Sequence, residues 1–326
     1  MPLSIHRGLR SPRLPIGSLP LRVTKATKSV GREAISGSWI YRIIVADYKS
    51  GGASNFSPIA VVTLDLSGKR LTARLPLRRI AVWSGPRNLS TALMRSFSSR
   101  ADTVVVDEPF YASYLESSSL PHPGREEVIA SQPTDWRVVA DRLSTGPSPS
   151  GRPIWYQKLM AHHMRPEMLG DWLDRLDHAF LLRHPGFVIR SYGRVTSGMG
   201  LDETGLPWQW RLFDYLRETR GVAPPVVDAS QLRRAPQATL AALCEALGLE
   251  WDPAMLRWPA GPHPHDGVWG RHWYANTWDS TGFVATPEAD AQPPRPDAEY
   301  LDEAIEIYQR LRGHALAVPD RSTDAR

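Results

Sequence analysis

Four short clusters in this sequence combine residue types that could hold an anion or move a proton. The first is Gly85-Pro86-Arg87-Asn88-Leu89-Ser90-Thr91, which separates an apolar run from a helical one. A turn of this kind leaves backbone N–H groups and a helix N-terminus pointing at one spot. Hydroxyls from Ser90 and Thr91 and the charge of Arg87 add to it, so the expected ligand is a phosphate-like anion. The second cluster is Asp107-Glu108, a pair of carboxylates. The third is Lys158 followed by His162 and His163. The fourth joins Arg183 to Ser191, a guanidinium and a hydroxyl eight residues apart that can clasp one dianion. The first cluster is not a nucleoside-triphosphatase loop. That pattern needs Lys before its hydroxyl residue, and Leu89 stands there.

Each cluster follows a short apolar run, which suggests how the fold would gather them. Residues 78–83, 104–106, 154–156, 179–182 and 226–227 read as buried strands. Between them come helical patterns: Leu89, Ala92, Leu93 and Phe97 in one, and Met168, Leu169, Trp172, Leu173 and Leu176 in a second opened by Pro166. Residues 187–195 read as helix, as does a run from Pro236 to a stop at Gly248 and a last amphipathic stretch carrying Tyr300, Leu301, Ala304, Ile305, Tyr308 and Leu311. Residues 115–153 read as loop-rich. Strands alternating with helices predict an α/β fold, a mostly parallel sheet of P-loop type with helices on both faces. In such a sheet ligands bind beyond the carboxyl ends of the strands, where all four clusters lie.

Composition excludes several classes. Of the 326 residues 42% are hydrophobic, enough for a core. One cysteine rules out a disulfide framework, a thiolate zinc site and a redox CxxC pair. No apolar run approaches bilayer length. These features point to a soluble, cytoplasmic protein without a membrane partner. Residues 1–77 hold 12 Lys+Arg against 3 Asp+Glu, so the formal net charge of +5 comes entirely from this stretch. The mildly acidic remainder argues against a nucleic-acid partner. His263, His265 and Asp266 resemble a metal cluster on paper, but surrounding prolines and the missing fourth ligand favour a loop.

The same residues carry a family resemblance. Pro86 to Thr91 resembles the 5′-phosphosulfate loop of the sulfotransferases, P-[KR]-S-G-[ST]-[ST]. Leu182-Arg183-His184-Pro185 through Ser191-Tyr192 resembles their 3′-phosphate motif, R-[NDH]-P-x-x-x-x-x-S-[YW]. With W-S-G-P-R-N-[LI]-S-T and D-E-P-F-Y, the chain looks like a bacterial, fungal and plant group of sulfotransferase-like proteins. Some members of that group carry names borrowed from branched-chain aminotransferases. The resemblance implies transfer of a sulfuryl group from 3′-phosphoadenosine 5′-phosphosulfate to a hydroxyl or amine of a small-molecule acceptor, with no metal required. It assigns the donor to Pro86, Arg87, Asn88, Leu89, Ser90 and Thr91, with Arg183 and Ser191 on the 3′-phosphate. Arg271 is a candidate there too, in a loop that lacks the family's K-G-x-x-G. Many members carry K-T-H after a strand; here Lys158 matches and Met160 stands where the His would be. The base is then Glu108 first, as in branches that use a glutamate, and His162 second. Two alternatives stay open: a nucleotide-binding P-loop protein with another donor, and a non-catalytic module that only binds the donor or its bisphosphate product.

Residues 1–76 stand apart as a basic N-terminal extension, read as poorly ordered, as a small β appendage with strands near 39–46 and 59–66, or as an organelle-targeting leader. Residues 77–326 form the expected sulfotransferase-like domain. The acceptor loops at 111–150 and 196–210 have no readable chemistry, and nothing in the sequence fixes the oligomeric state.

Overall fold

The computed structural model describes residues 76–119, 121–195, 198–283 and 291–318, together with the backbone of 26–35, 38–47, 60–64 and 70–74. The chain divides into two compact units, Met1–Pro76 and Leu77–Arg326. In the first unit, β1 (Ala26–Ile35), β2 (Ser38–Asp47), β3 (Ala60–Leu64) and β4 (Arg70–Arg74) form an antiparallel sheet in sequential order. The basic stretch 1–25, read from sequence as an extension or leader, lies outside the described residues.

The second unit carries a parallel sheet of β5 (Arg78–Ser84), β6 (Thr103–Asp107), β7 (Ile154–Met160), β8 (Asp177–Leu182) and β9 (Val226–Asp228), in the order β6-β7-β5-β8-β9. The chain leaves central β5 for the β6 edge, returns beside it as β7, then crosses to the other side. That reversal places the switch point at the end of β5. The strands alternate as a sheet covered on both faces must. On β5, Ala81 and Trp83 pack with Trp155, Phe180 and Phe213 on one side; Ile80 and Val82 pack with Leu93, Tyr156 and Leu240 on the other.

The helices are α1 (Ser90–Ser98), α2 (Tyr111–Ser117), α3 (Arg125–Ser131), α4 (Trp136–Thr145), α5 (Pro185–Tyr192), α6 (Leu206–Arg220), α7 (Ala229–Arg234), α8 (Pro236–Ala246), α9 (Gly270–Trp273), α10 (Ala275–Trp278) and α11 (Leu301–Arg312). Two expectations are corrected. The pattern after Pro166 is not a helix but two short 3-10 turns, Pro166–Met168 and Leu173–Arg175, on either side of Gly170. Their apolar residues still reach the core, as buried Met168 and Leu173 show. The stretch 115–153, read as loop-rich, holds the end of α2 and all of α3 and α4; the last starts where the Asp135 side chain accepts from the Arg137 N–H at 2.9 Å.

The lone cysteine, Cys244, is buried on α8 with its Sγ 3.7 Å from the Met255 sulfur. Burial pushes its pKa up to about 11.

Glycine at position 85 is required by a close approach. A Cβ there would lie 2.1 Å from the Thr204 carbonyl oxygen, because the turn after β5 packs against the backbone ahead of α6. Gly85→Ala should therefore lower stability by about 1–3 kcal/mol, read as a lower urea midpoint at unchanged slope.

Candidate functional site

The turn leaving β5 is built from unusual backbone. Arg87 (φ 60°), Leu89 (φ 68°) and Glu108 (φ 41°) are the non-glycine residues with positive φ among those described, and all three border one cleft. Such conformations cost of order 1–3 kcal/mol each and persist only where the surroundings enforce them. No side chain caps the first turn of α1, so its N–H groups are left to the cleft that Ser90 and Thr91 help line. The cleft encloses about 360 Å³, within the size range of small-molecule sites.

Into this one cleft the fold brings Pro86, Arg87, Leu89, Ser90 and Thr91 of the first cluster, Glu108 of the second, Lys158 and His162 of the third, and Arg183 and Ser191 of the fourth. The two motifs expected to bind anions touch. Arg87 Nε donates to Ser191 Oγ at 3.1 Å, and Arg183 Nη1 donates to the Arg87 carbonyl at 2.6 Å. A further bond, from Arg87 Nη1 to the Trp273 carbonyl at 2.8 Å, fixes the guanidinium from a second side.

Two predicted residues sit elsewhere. Asn88 turns under the loop, where its Nδ2 donates to the Leu181 carbonyl at 3.2 Å; it braces β5 against β8 rather than facing the cleft. Arg271 does not line the cleft. Its exposed guanidinium pairs with Glu127 on α3, because α9 turns that side chain outward. The paper metal cluster also dissolves: Asp266 accepts from Arg95 Nη2 at 2.7 Å, from the His263 N–H at 2.9 Å and from Trp278 Nε1 at 2.9 Å. The Arg95–Asp266 pair is buried and ties α1 to the 263–278 segment.

The acidic corner is a closed knot. Register across β6 and β7 sets Asp107 beside Lys158. Lys158 Nζ, 1% exposed, donates to Asp107 Oδ1 at 2.7 Å, Glu108 Oε1 at 2.5 Å and Tyr274 Oη at 2.8 Å, which uses all three ammonium protons. Tyr274 Oη in turn accepts from Trp269 Nε1 at 2.9 Å and lies 2.8 Å from Asp107 Oδ2 and 3.2 Å from Glu108 Oε1. Sequence reasoning gave Tyr274 and Trp269 no part in this corner. Their segment was read as a loop over the 3′-phosphate, and no spacing in the sequence links position 274 to position 107.

These contacts set the protonation states. Burial opposes the charge of Lys158, but Asp107 and Glu108 outweigh it and its pKa rises. Burial raises the pKa of Glu108, Lys158 pulls it back, and Asp107 adds to the rise, leaving it above the ordinary carboxylate value. A buried carboxylate with a raised pKa, at a cleft wall, is a suitable proton acceptor. The second candidate is weaker. Burial takes His162 down to about 3, so its imidazole holds a proton poorly. Tyr274 stays a phenol, its pKa pushed far up by burial and by both carboxylates.

A family model described as a sulfotransferase domain matches residues 78–315, and the chain belongs to that family. Among its relatives are two proteins of Arabidopsis thaliana. Branched-chain-amino-acid aminotransferase-like protein 1 is 35% identical over 233 residues, covering 71% of this chain and 41% of that protein. Branched-chain-amino-acid aminotransferase-like protein 2 is 32% identical over 238 residues, covering 72% and 41%. The chain thus spans about two fifths of the length of these curated relatives. Among solved structures, the sulfotransferase domain from the Synechococcus PCC 7002 olefin synthase aligns with TM-score 0.44 at 16% identity, over 75% of this chain and 96% of that one. The sulfotransferase domain from the curacin biosynthetic pathway aligns with TM-score 0.40, also at 16% identity, over 76% and 95%. No helix among the described residues is long and apolar enough to cross a membrane.

The hydrogen bond from the Tyr274 phenol lowers the Glu108 pKa against the burial that raises it. Tyr274→Phe should therefore raise the Glu108 pKa further. Carboxyl carbon NMR of the Glu108 side chain would read this as a titration midpoint displaced to higher pH relative to wild type.

Proposed function

We propose that this chain transfers a sulfuryl group from 3′-phosphoadenosine 5′-phosphosulfate to a hydroxyl or amine of a small-molecule acceptor. The observation that carries the reading is the interlock of Arg87, Ser191 and Arg183 in a cleft that Glu108 also lines. A bisphosphorylated nucleoside needs two anion grips opening into one space, and a base within reach of the acceptor. The residues present fit such a donor, since the uncapped first turn of α1 and the strained Arg87–Leu89 turn form a cradle for anionic oxygens.

Arg87, Ser90, Thr91 and the α1 N-terminus would hold the 5′ end, and Arg183 with Ser191 the 3′-phosphate. When bound, the donor supplies a sulfuryl group whose bond to a phosphate oxygen breaks as one to the acceptor forms, leaving adenosine 3′,5′-bisphosphate. Glu108 takes the acceptor's proton on the carboxylate oxygen that Lys158 does not bond, while Lys158 holds the other in place. The charge of Lys158 also lies where negative charge would gather, although its protons are committed to Asp107, Glu108 and Tyr274. A cytoplasmic location belongs to this reading, and so does the division into an appendage before residue 77 and a catalytic domain after it.

One observation favours a second reading. With Lys158 fully engaged and Met160 in the place of the family's His, the cleft would serve as a binding module without turnover. Isothermal titration and assay with labelled donor separate the two. Adenosine 3′,5′-bisphosphate should bind to the wild type without Mg²⁺, and Arg183→Ala should weaken it at least 10-fold. Glu108→Gln should keep that binding and lower turnover by ~10²–10⁴-fold. Absence of bisphosphate binding to the wild type would reject the assignment. Bisphosphate binding with no transfer to any acceptor, unchanged by Glu108→Gln, would establish the binding module.

A further inference from the structure

The knot at the ends of β6 and β7 does not balance its charges. Two carboxylates, Asp107 and Glu108, share one ammonium, Lys158, so one negative charge is left in surplus where burial makes any net charge costly. Among the described residues no other cation pairs with either carboxylate. Tyr111 on α2, Tyr156 on β7 and Tyr274 stay uncharged phenols, their pKa values pushed up by burial. Burial also drives His162 and His163, in the 3-10 turn Ala161–His163, to the neutral form and lowers His122. Arg95 pairs with Asp266, and Arg87 commits its guanidinium to Ser191 and the Trp273 carbonyl.

A knot one charge away from neutrality has room for one proton, and its contacts decide which carboxylate takes it. Asp107 is saturated with donors. Its Oδ1 accepts from Lys158 at 2.7 Å, and its Oδ2 accepts from the Tyr274 hydroxyl at 2.8 Å and from the Gly267 N–H at 3.4 Å. Its side chain does not line the cleft. Glu108 does line it, and the donors that reach Glu108, Lys158 and at 3.2 Å Tyr274, both meet Oε1. A carboxylate gripped by three donors is the poorer seat for a proton, and one with an uncommitted oxygen is the better.

We infer that Asp107 is a positioning residue of the proposed transfer: from outside the cleft it holds Lys158 in place and supplies the surplus negative charge that makes Glu108 the proton acceptor. Lys158 alone cannot do this, because a neighbouring ammonium favours the ionised carboxylate. Without the Asp107 charge, Lys158 and Glu108 would form a neutral pair. Protonating Glu108 would then leave a buried ammonium uncompensated, so Glu108 would be the weaker base. The inference rests on the sulfotransferase reading for the reaction that uses this base, but not for the charge count.

Two substitutions separate charge from shape. Asp107→Asn keeps the shape and removes the charge; Asp107→Glu keeps the charge and lengthens the side chain. Carboxyl carbon NMR of Glu108 in the full chain reads both, after a separate titration with adenosine 3′,5′-bisphosphate has tested the donor site. Asp107→Asn should lower the Glu108 titration midpoint by about 1–2 pH units, the sign opposite to that expected for Tyr274→Phe. Asp107→Glu should leave it within about half a unit of wild type. With labelled donor, the acidic limb of the pH–turnover profile should move down by the same amount in the Asn variant. A residue that only braced the fold would give the reverse order, since the longer side chain disturbs a packed site more. That order would overturn the inference. So would a wild-type Glu108 midpoint at or below the ordinary carboxylate value of about 4.3, a reading that stands even if neither variant folds. Failure of the bisphosphate to bind would reject the donor assignment and leave the NMR comparison intact.

Discussion

Three charged side chains and one phenol, withdrawn from water at the ends of β6 and β7, define the chemistry of this molecule. Burying Asp107, Glu108 and Lys158 carries a desolvation cost of several kcal/mol per ion, which only close and complete pairing offsets. Here the pairing is complete on the lysine side, through Asp107, Glu108 and Tyr274. The consequence is stiffness. Glu108 is held by its side chain at Lys158, by its own N–H donating to the Lys158 carbonyl at 3.0 Å, and by its carbonyl accepting from the Tyr111 N–H at 3.0 Å. That enclosure explains how a non-glycine residue stays at φ 41°. It also commits one carboxylate oxygen to Lys158 and Tyr274, so that the proposed proton transfer would fall to the other.

The sheet does for the two arginine turns what the knot does for Glu108. Parallel order with β5 in the centre puts the Arg87 turn and the Arg183 turn on adjacent strand ends, since β5 pairs directly with β8. No long-range search is then needed to bring the two arginines together. The bond from Arg183 to the Arg87 carbonyl is a near-neighbour contact of the sheet, though 96 positions separate the residues. Local strain at Arg87 and Leu89 and the backbone contact at Gly85 follow from fitting this turn between α1 and the segment before α6.

Much of this was legible from residues alone, for a physical reason. Strand ends can be read from where an apolar run stops, and the cluster after each stop is local in sequence; Arg87, Glu108, Lys158 and Arg183 were found that way. Tyr274 was not, because it reaches Asp107 across 167 positions through a segment with no periodicity. The burial of the two histidines escaped for a related reason. His162 and His163 were noticed as proton carriers, but packing against Tyr111 and Tyr114 on α2 buries them and lowers their pKa. The helix α4 was readable in principle, since Asp135 precedes Val139, Ala140 and Leu143 at helical spacing. The false helix after Pro166 shows the opposite error: apolar residues at the right spacing folded as two tight turns, because Gly170 interrupts them. Arg271 was chosen for its charge, when the useful residue of that loop carried a phenol.

The buried pair between Arg95 and Asp266 rivets the 263–278 segment to α1, the helix that begins beside the Arg87 turn. Trp273 of that segment also accepts from Arg87 and packs 5.5 Å from Tyr192. The walls of the cleft are thereby fastened to its floor, so its shape is set by the fold in advance.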